Sequence, residues 1–142
     1  MKARIAKRQV LLMDDDPQRA ESIARHLVRH GCRVTLATSV EEALRNLAGQ
    51  TFDVLFSPLE MRRTTGWILM ARCRQRQVRV PVVLLTVAFD AGKWASALVW
   101  GAQALLRVPL QDDELANILA LVAPAPAPDV EVVEEAVHTI AA

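Results

Sequence analysis

The sequence predicts an α/β domain built as a doubly wound, five-stranded parallel sheet. Three observations carry this expectation. Short apolar runs of strand length alternate five times with longer stretches patterned as helices. The runs are nearly continuous, as in Val82-Val83-Leu84-Leu85-Thr86, which is what strands buried on both faces require. Helix starts and stops fall between them. The 142 residues suit one domain with a core that needs no disulfide. With 52% hydrophobic but 4% aromatic residues and no Tyr, that core must be mostly Val, Leu, Ile and Ala.

Taken in order, Val10 to Met13 is an apolar run ending in acid and reads as a strand. Asp16 is a suitable N-cap and Pro17 a suitable first-turn residue for a helix to about His30, stopped by Gly31. Arg33 to Ala37 is a second strand. Ser39 with Glu42 three residues on forms a capping box for the next helix, which Gly49 ends. Phe52 to Phe56 is the third strand, and Ser57 to Thr65 an irregular basic loop. Gly66 opens a helix to about Arg76. Pro81 precedes the strand Val82 to Thr86. Asp90 caps a helix ending near Trp100, with Gly101 as its stop. Gln103 to Val108 is a fifth strand, and Asp112 to Val122 a last helix with acid in its first turn.

Residues 1–123 therefore form the domain. Residues 124–128, Pro-Ala-Pro-Ala-Pro, read as a semi-rigid spacer. Residues 129–142 are an acidic tail in which Val130, Val133, Val137 and Ile140 share one side of a helical projection. A helix that short is marginal alone, so the tail either frays or folds against a partner, a second copy or this domain.

Charge and composition narrow the function classes. All 17 Lys and Arg lie at or before Arg107, and four of the 16 Asp and Glu lie in the tail, so the body carries +5 and the tail −4. That is mild for nucleic-acid binding, and no DNA-reading motif follows the body, so nucleic acid is not an expected partner. No signal peptide opens the chain and no stretch reaches the ~20 apolar residues of a membrane span, so a cytoplasmic protein without membrane insertion is expected. Cys32 and Cys73 show no metal spacing and read as reduced thiols. There is no Gly-rich phosphate loop and no nucleophile-and-base pair, so the chain is not expected to be an enzyme.

In a doubly wound sheet the functional crevice lies at the carboxyl ends of the strands, near the switch in strand order. There the motifs become specific. Val10-Leu11-Leu12-Met13-Asp14-Asp15-Asp16-Pro17, Val40-Glu41-Glu42-Ala43-Leu44, Phe52-Asp53-Val54-Leu55-Phe56, Pro81-Val82-Val83-Leu84-Leu85-Thr86, and Gly101-Ala102 followed by Pro109 occur in this order with consistent spacing. Together they resemble the receiver domains of bacterial response regulators, over residues 8 to 123. The resemblance implies the flavodoxin-like (βα)5 fold. It also implies a phosphoryl-accepting site with an acidic pair that helps hold Mg²⁺, a third carboxylate, a Ser or Thr hydroxyl and a Lys.

Carried over position by position, Asp14 and Asp15 fill the acidic pair and Thr86 the hydroxyl position, while Asp16 is read as the helix cap. The acceptor position falls on Pro58, the lysine position on Val108 and the aromatic switch position on Leu105. Ser57 and Glu60 are the nearest side chains to a displaced acceptor, and neither is attractive. Arg107, next to Val108, should point to the other face by strand alternation. This pattern implies a degenerate pseudo-receiver without the phospho-acceptor. No cofactor is expected, and any Mg²⁺ would have to sit on Asp14 and Asp15. Two carboxylates that close call for a cation, and Arg62 or Arg63 from the loop after the third strand is the expected one.

The remaining surface points to protein partners. The fourth helix is nearly apolar all round, which suits a covered helix or an interface rather than a solvated one. Trp94, Leu98, Val99 and Trp100 are its interface candidates, for a histidine kinase, another signalling protein, or a second copy through the fourth helix, fifth strand and fifth helix. Trp94 and Trp100 laid over the sheet as core is the other reading. Arg62, Arg63, Arg72, Arg74, Arg76 and Arg79 form a basic surface that reads first as solvated side chains. The expected function is a phosphorylation-independent signalling adaptor. The alternatives are a phosphorelay response regulator that binds Mg²⁺ and is phosphorylated at a displaced site, or a small-ligand or redox sensor on the same fold.

Overall fold

The computed structural model describes residues 7–122, with strands and helices in strict alternation. They are β1 (Arg8–Met13), α1 (Pro17–Arg29), β2 (Cys32–Ala37), α2 (Val40–Gly49), β3 (Val54–Pro58), α3 (Gly66–Gln75), β4 (Val82–Thr86), α4 (Ala91–Trp100), β5 (Ala104–Arg107) and α5 (Asp112–Val122). All pairings are parallel, in the order β2-β1-β3-β4-β5. The chain steps from β1 outward to β2, then returns past β1 to β3, so the switch point lies between β1 and β3. The expected fold is the one found. The spacer at 124–128 and the tail residues Val130, Val133, Val137 and Ile140 lie outside the described residues.

Strand alternation divides the core in two. Leu11, Met13, Leu55, Leu84 and Leu105 face one side, under Ala43, Leu44, Leu69, Met70 and Ala97 of α2, α3 and α4. Val10, Leu12, Phe56, Val83 and Leu85 face the other, under Ile23, Leu27, Leu115 and Leu119 of α1 and α5. This is why the strand runs are continuous in sequence: both faces are buried.

The helix ends follow the expected chemistry. The Asp16 carboxylate accepts from the N–H groups of Gln18 and Arg19, Ser39 caps α2, and Asp90 caps α4. Gly31 and Gly101 take positive φ, 81° and 90°. The capping box is displaced by one residue, because Glu42 reaches the N–H and hydroxyl of Thr38, at 3.3 and 3.0 Å, rather than the Ser39 N–H.

One boundary needs correction. The third strand runs from Val54 through Pro58, not from Phe52 to Phe56, so Ser57 and Pro58 belong to the sheet rather than to the loop. They continue the ladder opposite Leu84 and Leu85, and both are buried. A proline counts against a strand in sequence, but as the last strand residue it loses no ladder bond, and the next N–H, of Leu59, bonds Leu85 O at 2.6 Å.

Cys32 and Cys73 are buried, unpaired thiols. Burial pushes the Cys73 thiol up to about 11, and it raises Cys32 as well. Both are expected to resist a thiol-reactive dye at pH 8 in the folded protein and to label completely in denaturant. Rapid native labelling of either would reveal an opening that this packing does not allow. No helix among the described residues is long and apolar enough to cross a membrane.

Candidate functional site

The carboxyl end of β1 delivers Asp14 and Asp15 to the switch point. Asp14 is 1% exposed, and its charge is matched in full. The Arg19 guanidinium grips it with two bonds, Nε to Oδ2 and Nη2 to Oδ1, each 2.8 Å. The Asp16 N–H adds a third at 3.0 Å. This fork on a carboxylate is the strongest geometry available to the pair. It holds Arg19 still more firmly protonated than usual, through the hydrogen bond first and then the charges of the three aspartates, against the cost of burial.

Asp15 is half-buried and lies 3.9 Å from the same guanidinium. Its two oxygens accept from the backbone N–H groups of Arg62, at 3.3 Å, and Arg63, at 2.8 Å. This corrects the expectation that an Arg62 or Arg63 guanidinium would neutralise the acidic pair. Both residues are exposed. A bridge between Glu60 and Thr65 folds the loop tightly, so its tip offers backbone N–H groups to Asp15, and among the described residues neither Arg62 nor Arg63 forms an ion pair with Asp14 or Asp15. The cation is Arg19, whose position in the first turn of α1 sets it beside the end of β1.

The other expected positions converge as the strand ends require. Pro58 at the end of β3, Thr86 at the end of β4 and Val108 just past β5 line one cavity of about 40 Å³ with Arg19 and Glu60. Ser57 turns inward, fully buried, with its hydroxyl on Pro58 O at 2.9 Å. Arg107 points away, as strand alternation demands, and lies over the Phe89 ring at 5.5 Å. Leu105 is 3% exposed within the core.

Two residues the sequence reading set aside or passed over complete the site. Glu60 reaches back over the sheet, where its Oε1 accepts from the Thr86 hydroxyl at 3.0 Å. Its Oε2 lies 3.3 Å from Lys93 Nζ, which arrives from the first turn of α4. A carboxylate from the loop after β3 thus stands on Thr86 with a lysine from α4 behind it, neither at the acceptor or lysine position that the family pattern marks. Every buried side-chain nitrogen and oxygen among the described residues has a hydrogen-bond partner.

The model of the response regulator receiver domain matches residues 10–120. This chain belongs to the receiver domain family of two-component response regulators. It is 33% identical over 122 residues to the transcriptional regulatory protein GlrR of Escherichia coli K12, covering 84% of this chain and 28% of that protein. It is 32% identical over 105 residues to the DNA-binding transcriptional regulator NtrC of the same organism, covering 74% and 22%. The chain thus spans about a quarter of the length of these relatives. Among solved structures it is similar to the chemotaxis protein CheY4 of Vibrio cholerae, at 28% identity and TM-score 0.72 over 82% of this chain and 99% of that one. It is also similar to the receiver domain of the Francisella response regulator 1452, at 25% identity and TM-score 0.73 over 82% and 96%.

In this receiver domain α4 is the least covered helix, with Ala97 its single buried residue. Trp94 is 38%, Leu98 50% and Val99 81% exposed; Val87 and Phe89 of the preceding loop are exposed as well, and the Phe89 ring lies 6.3 Å from that of Trp94. Trp100 is equally exposed but tethered. The Arg74 guanidinium lies 5.2 Å above its ring and donates to its carbonyl at 2.7 Å, and the Trp67 ring lies 6.5 Å away. The basic residues are not one free patch either, since Arg72 pairs with Glu41 at 3.7 Å and Arg74 holds Trp100.

Proposed function

We propose that this receiver domain is a pseudo-receiver, a non-enzymatic adaptor that transmits signals through protein contacts without being phosphorylated. The observation that carries the reading is the bidentate Arg19–Asp14 pair beside Pro58. Phosphoryl transfer in this family would call on Mg²⁺, held by carboxylate oxygens and waters. These residues do not fit it. Asp14 has spent its oxygens on Arg19 and the Asp16 N–H, Asp15 has spent its own on two backbone donors, and one guanidinium already lies against both, 2.8 Å from Asp14 and 3.9 Å from Asp15. With Pro58 at the end of β3, no acceptor carboxylate stands there.

The docking surface is α4 with its preceding loop, where Trp94, Leu98, Val99, Val87 and Phe89 are exposed together. Aromatic anchors within an exposed apolar patch suit a protein partner. A histidine kinase, another signalling protein or a second copy through α4, β5 and α5 fits such a surface.

A second reading, phosphorylation at a displaced site, has one observation in its favour: Glu60 brings a carboxylate to Thr86. A small-ligand sensor that uses the vacated cavity among Pro58, Thr86 and Val108 has less, because that cavity is about 40 Å³, far below the ~300 Å³ of ordinary ligand pockets. Treatment with acetyl phosphate and Mg²⁺, followed by intact mass measurement, separates the first two. The adaptor reading expects an unchanged mass and no heat of Mg²⁺ binding by calorimetry. A phosphoryl group mapped to Glu60 or Ser57 would overturn it.

A further inference from the structure

Polar groups of four residues close a ring at the end of β4. Glu60 Oε1 accepts from Thr86 Oγ1 at 3.0 Å, and Thr86 Oγ1 accepts from the Ala88 N–H at 3.3 Å. The Ala88 carbonyl accepts from Lys93 Nζ at 2.7 Å, and Lys93 Nζ returns to Glu60 Oε2 at 3.3 Å. The ring joins three parts of the fold: the loop after β3, the end of β4, and the first turn of α4.

The ring matters because little else holds that end of α4. Only Ala97 of the helix is buried, and the preceding residues Val87 and Phe89 are 67% and 39% exposed. The Asp90 cap bonds within the helix itself, to the Lys93 N–H, and fixes nothing to the sheet. The far end is secured separately, by Arg74 on Trp100. An exposed Glu–Lys pair alone contributes little. Here the carboxylate also takes a charge-assisted bond from a hydroxyl that is 2% exposed, and the members of a closed ring polarise one another.

We propose that Glu60 is a built-in anionic ligand of Thr86 and Lys93, a latch that pins the first turn of α4 and so sets the position of the Val87, Phe89 and Trp94 surface. Any molecule that draws Glu60 away, or any partner that takes Lys93, then moves the docking face without a phosphoryl group. The consequence for partner binding rests on reading α4 as that face, whereas the latch does not.

Hydrogen exchange on the full chain tests it, with Glu60→Ala, Lys93→Met and the double variant, alongside denaturant unfolding. The Glu60 side chain is 49% exposed, so its removal leaves the core intact. Each single variant is expected to speed exchange of the amides of residues 87–94 by on the order of tenfold, with α1 and α5 unchanged. The double variant should exchange no faster than the faster single, because one break opens the ring. Unchanged rates at 87–94, or a rise spread evenly over the domain, overturns the latch. A local rise in exchange together with unaltered self-association and partner capture by Trp94→Ala retains the latch and removes the docking reading instead.

Discussion

Replacing Arg19 with Met is expected to destabilise the domain by about 2–3 kcal/mol and to lower its melting temperature by roughly 10 °C. The Asp14 side chain is fully buried, and it keeps its charge there because a guanidinium meets it with two 2.8 Å bonds. Methionine preserves the aliphatic stem and removes the charge, leaving a buried carboxylate with one backbone donor. Breaking such a pair costs more than the pair contributes, since the surviving ion has lost its hydration as well as its partner. The figure stands at the low end of the usual range because the Arg19 side chain is 30% exposed and water can approach it. The double variant Asp14→Asn with Arg19→Met should recover much of the loss, because no uncompensated charge remains. Urea unfolding at neutral pH measures both. A single variant as stable as the natural chain would show that Arg19 does not carry the site's charge balance, and the pseudo-receiver reading would lose its main support.

This pair also shows where sequence reasoning reached and where it stopped. Strand ends were readable, because continuous apolar runs and helix caps locate them to within a residue or two. Asp14, Asp15, Pro58, Thr86 and Val108 are therefore assigned to one crevice; Pro58, Thr86 and Val108 line one cavity with Arg19, whereas Asp14 and Asp15 are outside its lining and reach it only through Arg19. β3 continues past the apolar run into Ser57 and Pro58, two residue types that carry no strand signal of their own. What the sequence did not disclose was how long side chains cross between elements. Glu60 and Thr86 are 26 residues apart, and no periodicity relates a loop residue to the end of another strand. Lys93 sits in a helix that is otherwise nearly apolar, and nothing in that pattern marks it as a charge turned back onto Glu60 and the Ala88 carbonyl. Arg19 could have been found: a helix opening at Pro17 puts its third residue beside the end of the preceding strand, five positions after Asp14. The family pattern would put a lysine at Val108, but the cation that reaches the two adjacent carboxylates is Arg19.

Gly66→Ala tests the packing beneath the site and should run against helix propensity. Alanine is favoured over glycine inside a helix by up to about 1 kcal/mol, so propensity alone predicts a gain. Gly66 opens α3 directly beneath the end of β3, and a Cβ there would lie 2.9 Å from Pro58 O and 2.8 Å from Leu84 Cδ2. Neither can yield cheaply. The Pro58 carbonyl belongs to a strand held in register against β4, and Leu84 is fully buried in the core. The Gly66 N–H also bonds Leu59 O at 2.9 Å, which ties the start of the helix to the residue just past β3. Net destabilisation of roughly 1–3 kcal/mol is expected. Gly49→Ala provides the control, since a Cβ there meets nothing within 4 Å. It should be neutral or mildly stabilising. Denaturant midpoints for the two variants should therefore move in opposite directions, or only the Gly66 variant should move. If Gly66→Ala proves as stable as the natural chain, the close approach of α3 to Pro58 is wrong, and with it the placement of Pro58 in the cavity beside Thr86.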